Sequence, residues 1–576
     1  MKRINRNLRV LAGIAVAVVG MSACTDDYVT GTQGGTVVTP PPANNTPRTV
    51  AAVTVTPSSA QAAAGATVQL AAIATDSAGV QMSTAGLTWG SSNQGVATVA
   101  ANGIVTGVTA GTTIITATLG AKVDSSTVTV TGNSPSTPTP AGPRAGYYAA
   151  PNGTSAGDGS FAKPWDLATA LTNNRAGAGD TLWLRGGTYT GKFRSTLSGS
   201  AGNHVVIRQY PGERAVIDAA SGSASPSAFY VGGSYATYWG FELTNSHPVR
   251  TTSSTANNVR PNVVANYASH TKYINMTVHD GGVAFYSDPQ YVDVEITGNV
   301  IYNNGWQGPD RGHGHAIYTK SDNGTVTIRD NVIFNQYGYG IHLYSNAGSG
   351  KLNNISVVGN VSFNNGTLSN NSNSANILFG QGEVANNGTL NANMTYYSPG
   401  KGAKNVVAGG DSKQNGSITV NDNYFAGGTT VFQMGFWSSV TMSGNTLMNG
   451  STLATSTDPN RTLSSGLNLL SGAPGATRVF VRPSPHETGR ANIVVYNWGG
   501  SGSVSVNLNG VVPSGAQYEI RNAQNITGAP VASGTYGGGS VSVPMSGVSG
   551  PTPVGGSSSQ VPSTGTQFGV FVVSIL

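Results

Sequence analysis

Five of the eight histidines, His270, His279, His313, His315 and His342, fall within one stretch; the others are His204, His247 and His486. Imidazole titrates near neutral pH, so such a concentration marks candidate acid–base or metal chemistry. The densest part is YNNGWQGPDRGHGH, Tyr302 to His315, which packs Trp306, Asp310, Arg311, His313 and His315 into one insertion. Zinc is one reading of Gly312-His313-Gly314-His315 with His342, but no cysteine or close acidic partner completes a zinc pattern. A catalytic or substrate-contacting histidine is the stronger reading. A satisfied structural histidine at a chain corner is the plain alternative.

The segments around these histidines read as short strands: VAFYSD (Val283–Asp288), HAIYTK (His315–Lys320), IHLYSN (Ile341–Asn346), NILFGQ (Asn376–Gln381) and VVAGGD (Val406–Asp411). Side chains alternate along a strand. Phe285, Ile317, Leu343, Leu378 and Ala408 are the expected inward column. Tyr286, Tyr318, Tyr344 and Phe379 then form an outward aromatic lane. Beside it runs a polar lane in which Lys320 stands between Asp288 and Asn346, with Gln381 beyond. Two readings stay open: an aromatic stack that stabilises a surface sheet, and a saccharide groove. The groove is favoured because two long loops, Thr244–Asn262 and Tyr302–His315, converge here, and long loops on a rigid scaffold are where sites are built.

The strands belong to a repeat: VEITGNVIYNNG, VTIRDNVIFNQYG, ISVVGNVSFNNG, LNANMTYYSPG, ITVNDNYFAGG, VTMSGNTLMNG. Its spacing, about 22–33 residues, signals a solenoid. One rung cannot bury its own apolar face, so rungs must stack. Period-two alternation with Val, Ile, Thr and Tyr argues for β-strands over helical repeats. Asn299, Asn331, Asn360, Asn393, Asn423 and Asn445 fall in register, with Asn275 an earlier candidate. We expect them at turns, in the left-handed conformation, bonding amide to amide between rungs.

These rungs resemble the right-handed parallel β-helix of the pectate-lyase-like superfamily. The opening GYYAAPNGTSAGDGSFAKPWDLATAL, then AGDTLWLRGGTYTGKF, resembles the N-terminal cap of such proteins, with Asp166 capping a short helix. The resemblance covers about Gly146 to Thr462 and is specific for fold rather than activity.

At 576 residues the chain has room for several domains, and only 9% of residues are charged, which suits an extracellular all-β protein. The net charge of +6 includes Lys2, Arg3, Arg6 and Arg9. No basic stripe with interleaved aromatics supports nucleic-acid binding. Residues 1–23 read as a signal peptide too short to be a stable anchor. They end in Met21-Ser22-Ala23-Cys24, which resembles a bacterial lipobox. Cys24 is the only cysteine, so no intrachain disulfide exists, and lipid on its sulfur would anchor the chain to the cell envelope. That places it at the outer membrane or cell surface; a plain secreted protein is the alternative. Residues 24–47 are a flexible tether.

Residues 48–132 carry LTWGSSNQGVATVAANGIVTGVTAGTTIITATLG, which resembles the group 2 bacterial immunoglobulin-like module, with Trp89 in its core and Gly103 and Gly107 at turns. Residues 133–145 are a Pro-rich linker, and 146–465 the β-helix with its cap. Residues 466–576 read as a C-terminal β-sandwich, in which Tyr496, Trp498 and His486 are expected in the core rather than in a sugar site. The expected fold is therefore all-β: a right-handed parallel β-helix flanked by two β-sandwiches, acting as a monomer.

The superfamily resemblance implies cleavage of an acidic, uronate-containing polysaccharide by β-elimination. That chemistry needs a base, groups that hold the carboxylate, and an acid for the leaving oxygen. Lys320 is the first candidate base, with His315 and His342 next. Arg311 and Asn346 would hold the carboxylate, and Tyr318 or Tyr344 would be the acid. Tyr286, Phe379, Gln381, Trp306 and His313 are candidate substrate contacts. Calcium, common in related lyases, could use Asp288, Asp310 or Asp322. The arginine-centred signature of pectate lyases is missing, which puts pectate itself in doubt. A non-catalytic glycan-binding or adhesion protein is the second reading. A glycoside hydrolase using Asp288 and Asp310 is the third.

Overall fold

The computed structural model describes residues 48–63, 67–108, 111–131, 144–255, 258–370, 374–410, 413–463 and 465–576. The signal peptide, Cys24 and the tether lie outside them, as does nearly all of the linker. Residues 48–131 form a β-sandwich around Val53, Leu70, Val105, Ile115 and Val128, with Trp89 packed against this core. Gly103 there has φ +79°, and a Cβ on it would sit 2.4 Å from the Leu70 carbonyl oxygen and 3.1 Å from the Trp89 ring, so only glycine closes this turn.

From Tyr147 the chain coils into three parallel sheets of eleven, eleven and ten strands. The short helix Leu167–Ala170 covers the open end, its cap set by Asp166, whose carboxylate accepts from the Thr169 N–H at 2.9 Å. The interior is continuous apolar packing, from Leu167 and Leu184 through Tyr238, Ile296 and Ile328 to Phe425 and Leu447.

The asparagine ladder is present, but its geometry differs from the expectation. Asn299, Asn331, Asn360, Asn393, Asn423 and Asn445 are buried and bond amide to amide at 2.8–3.1 Å. The left-handed residue is the one before each, namely Gly298, Asp330, Gly359, Ala392, Asp422 and Gly444. Asn275 is itself left-handed at φ +51°, so the ladder position in its rung passes to Met276, whose N–H donates to Asn299 Oδ1. A second ladder, unread in the sequence, lines the corner between the second and third sheets. It runs Asn304, Gln336, Asn365, Asn376, Asn405, each following or facing a left-handed turn such as Asn303, Asn335 or Asn364.

Asn360 shows what a ladder residue contributes. Its Oδ1 accepts from the Asn331 backbone and amide, and its Nδ2 donates to Ile328 O and Asn393 Oδ1. Asn360→Ala orphans several buried groups, each costing about 1–3 kcal/mol. We expect a loss of about 3 kcal/mol, read as a lower denaturation midpoint at unchanged m-value.

The β-helix extends beyond the expected boundary at 465, because Leu467–Leu470 still pairs in parallel with Asn445–Met448. Residues 478–576 then form an antiparallel sandwich with its own core, including Ile493, Val506, Ile520 and Phe571. One face of its larger sheet, with Val494, Tyr496, Val570 and Phe568, packs on Val332, Val361, Phe363 and Tyr396 of the second sheet. Tyr496 is fully buried in this interface, and Trp498 donates to the Tyr424 hydroxyl at 2.9 Å. The aromatics expected in the core of the C-terminal domain thus join it to the β-helix. Ion pairs from Arg482 to Asp330 and from His486 to Glu295 border the joint.

Candidate active site

The third sheet positions the candidate site. Its register is Phe285, Ile317, Ile341, Ile377 and Val406 inward. Of the later residues expected inward, Leu343 and Ala408 do face the interior, one alternation step further along their strands, whereas Leu378 does not. A two-residue shift preserves alternation, so Ile341 and Leu343 were equally good inward residues in the sequence. The one-residue error at Leu378 reversed its neighbour: Phe379 points inward, is fully buried and packs edge-on against Trp437 at 6.1 Å. Phe379 therefore cannot contact substrate. The outward column is Tyr286, Tyr318, His342, Leu378 and Val407, and a bulge between Leu343 and Tyr344 carries Tyr344 further along the face.

A cavity of about 800 Å³ opens over this column. Asp310 and Arg311 reach it from the insertion, folded as a hairpin pairing Trp306 with His313. His315, Tyr318, Tyr339 and His342 line it from the sheet and its leading turn, and Tyr344, Asn346 and Gln381 from the far side. The insertion and separated strands collect seven of the residues singled out for catalysis or substrate contact, while no described residue of the Thr244–Asn262 loop, expected to converge here, lines the cavity.

His342 is the central group. Its ring lies between Tyr339 and Tyr344, at centroid distances of 4.1 and 5.3 Å and within 6° of parallel to both. It is 9% exposed, and its Nδ1 has no hydrogen-bond partner. Burial, with the nearby Arg311 charge, pulls its pKa down to about 3, so the imidazole is neutral. His315 is different. Its Nδ1 accepts the Tyr339 N–H at 3.0 Å, and burial, then His342, hold its pKa well below the usual range. A neutral imidazole whose Nδ1 accepts carries its proton on Nε2, so His315 is a hydrogen-bond donor rather than a base. The Tyr318 hydroxyl has no partner among the described residues, and burial, with Tyr344 and Asp288, pushes it up to about 12, so it stays protonated. Tyr344 donates to Asn346 Oδ1 at 2.9 Å.

Other expected site residues lie outside the cavity lining. Lys320 was expected on an exposed position but is only 6% exposed, its Nζ 5.5 Å from the Tyr318 ring centroid. Trp306 is buried and stacks on His313, and His313 pairs with Asp310 at 2.8 Å. Tyr286 donates to Asp288 at 2.5 Å, while Asp322 accepts the Lys351 N–H. Asp288, Asp310 and Asp322 are therefore each engaged separately. Among the described residues no three His, Cys, Asp or Glu side chains are grouped to hold one metal ion. This donor set does not fit a calcium shell, which needs several converging oxygens. Tyr339 was missed, because it precedes the strand that the alternation picked out; the Tyr-Gly-Tyr-Gly run before Ile341 was the available signal.

The rings of the outward lane face one another: Tyr286 and Tyr318 are 5.8 Å apart at 26°, Tyr318 and His342 5.3 Å apart at 30°. Their faces are largely occupied by each other. A ligand meets ring edges and hydroxyls rather than a flat stacking platform.

Residues 49–131 match the bacterial Ig-like domain (group 2), and residues 147–426 match the family described as Pel9A-like, right-handed beta helix region. A 76-residue segment, 13% of this chain and 18% of the relative, is 38% identical to pectate lyase PEL9 of Emericella nidulans. Among solved structures, pectate lyase Pel9A is 19% identical with a TM-score of 0.37, covering 57% of this chain and 79% of that one. A rhamnogalacturonan lyase is 15% identical with a TM-score of 0.43, covering 57% and 85%. A lacto-N-biosidase from Eubacterium ramulus is 12% identical with a TM-score of 0.39, covering 56% and 67%. The chain thus joins a group 2 bacterial immunoglobulin-like domain to a Pel9A-like right-handed β-helix.

Proposed function

We propose that this protein is a polysaccharide lyase that cleaves an acidic, uronate-containing glycan by β-elimination in the cavity over the third sheet. The observation that carries this reading is His342, a largely buried neutral imidazole in the wall of a cavity that also holds Arg311 and an unpartnered protonated tyrosine. Arg311, with Asn346 or Gln381, holds the uronate carboxylate and stabilises charge that develops there. His342 takes the proton from the carbon next to the carboxylate. The new carbon–carbon double bond forms as the glycosidic carbon–oxygen bond breaks. Tyr318 gives its proton to the departing oxygen, and His315 donates through Nε2 to the developing negative charge. Reprotonation of Tyr318 from solvent and loss of the His342 proton close the cycle. No external oxidant or reductant is required.

Homology to proteins named pectate lyase supports the reaction class. Attachment to the envelope through Cys24 is part of the same proposal, since it would hold the protein where such glycans occur. The test is incubation of the full chain with polygalacturonate, rhamnogalacturonan and alginate, after chelation and with added calcium, following absorbance of the unsaturated product. We expect product from at least one glycan in the chelated sample. Retention of a glycan without turnover would instead support the binding-protein reading, and products lacking unsaturation would point to a hydrolase.

A further inference from the structure

The outward column of the third sheet is open on one side of the cavity and covered on the other. Towards the N-terminal cap it runs from Tyr318 through Tyr286 and Ala265 to Tyr230 and Arg194. Tyr267 swings from its turn into the space over Ala265, its ring 4.9 Å from that of Tyr230 and 6.4 Å from that of Tyr286. These tyrosines are half-buried and Arg194 is exposed. The Arg194 guanidinium lies 4.3 Å from the Tyr230 ring centroid and has no carboxylate partner among the described residues. The lane therefore offers one edge or hydroxyl per rung, about 4.8 Å apart, and ends on an unneutralised cation.

On the other side the same column closes. His342 is 9% exposed, Leu378 and Val407 3%, and Gln433 6%. Tyr339 and Tyr344 pack over Leu378 and Val407. Among the described residues the cavity lining ends at Ser374 and Gln381, and no later rung contributes to it. A linear chain lying on this column can thus leave the cavity in one direction only.

We propose that the acidic glycan approaches from the capped end alone, its uronates reaching along the tyrosine lane to Arg194, and that its terminus is held in the cavity. Cleavage is then exolytic, releasing short unsaturated units from one end. This inference rests on the lyase reading above and adds the mode of attack to it.

The experiment uses the full chain with polygalacturonate or, if that is not cut, with the first acidic glycan that yields unsaturated product. Product size and solution viscosity are followed from the earliest time points. The expected result is short unsaturated products from the start, with viscosity nearly constant while they accumulate. Long unsaturated oligomers with an early fall in viscosity would overturn the exolytic mode and leave the lyase reading standing. No unsaturated product from any glycan would overturn both. Arg194→Ala is expected to raise KM for the polymer several-fold, and an unchanged KM would remove the lane from the binding surface.

Discussion

His342→Phe is expected to lower kcat by about 10²- to 10⁴-fold, the range for loss of a general base. Phenylalanine keeps a flat ring between Tyr339 and Tyr344, so the sandwich that shapes the cavity survives and only the nitrogens are lost. The thermal midpoint should stay close to that of the parent. Lys320→Met is the paired variant. Lys320 is buried with its Nζ 5.5 Å from the Tyr318 ring centroid and lies outside the cavity lining, so its loss should spare turnover. Full activity in His342→Phe together with inactive, folded Lys320→Met would return the base role to Lys320.

The pH profile adds a second readout. In the free protein burial and the Arg311 charge keep His342 neutral down to about pH 3. A uronate carboxylate paired to Arg311 cancels that positive charge and brings a negative one beside the ring. Both changes raise the imidazole pKa in the complex, making it a stronger base once substrate is bound. We therefore expect the acid limb of kcat to lie above that of kcat/KM. The folded pKa is depressed, so between about 3 and the ordinary value near 6.5 the unfolded chain binds more protons. Stability falls as pH drops through that window, and the limbs are to be read on samples shown to remain folded.

The β-helix was legible because its determinants repeat. Period-two alternation and an asparagine every rung are local facts, and six rungs report them independently. What sequence could not fix was register at Ile341 and Phe379: an inward column tolerates a two-residue slip, and a bulge at Leu343 leaves no compositional mark. That ambiguity moved Phe379 from core to surface; Lys320 was misjudged for another reason, since its strand was read in the right register and alternation says nothing of what covers an outward position. His315 and Arg311 were noticed because an insertion dense in histidine and charge is recognisable wherever its strands sit, and His342 because it follows in the same histidine-rich stretch; all three line the cavity. Tyr339 did not, since its role is to hold two histidines and depends on a contact across rungs. The second amide ladder was hidden for a similar reason. Its members include one Gln among four Asn and jump eleven residues between Asn365 and Asn376, so no fixed spacing announces it.

Arg250→Met is expected to be the most destabilising single change outside the apolar core, at about 3–5 kcal/mol, the cost of breaking a buried ion pair from one side. The Arg250 side chain is fully buried. It donates to Val554 O at 2.7 Å, Asn303 O at 2.7 Å, Gly305 O at 2.9 Å and Asp280 Oδ1 at 2.5 Å. Methionine fills similar space but supplies none of these donors. The Val554 bond ties the C-terminal domain to the β-helix, and the Gly305 bond anchors the start of the hairpin that carries Arg311. Lysine should rescue little, because one ammonium cannot span four acceptors in a planar fan. Asp280 also holds His279, which bonds Glu242 on its other nitrogen. Burial opposes the charge on His279, but the two carboxylates outweigh it and raise its pKa to about 9. Its stabilising contribution is complete below the unfolded value near 6.5 and is lost as pH rises through about 9. For Asp280 and Glu242 burial likewise opposes the charge but is outweighed, by His279 with Arg250 at Asp280 and by His279 with Arg214 at Glu242. Both pKa values fall, so their contribution is present above about pH 4 and lost in acid. Urea melts across pH should show this network holding most strongly between those limits, with Arg250→Met lowering the whole curve. An unfolding free energy within about 0.5 kcal/mol of the parent, the error of such a comparison, would show that the neighbouring chain rearranges to satisfy Asp280 without Arg250.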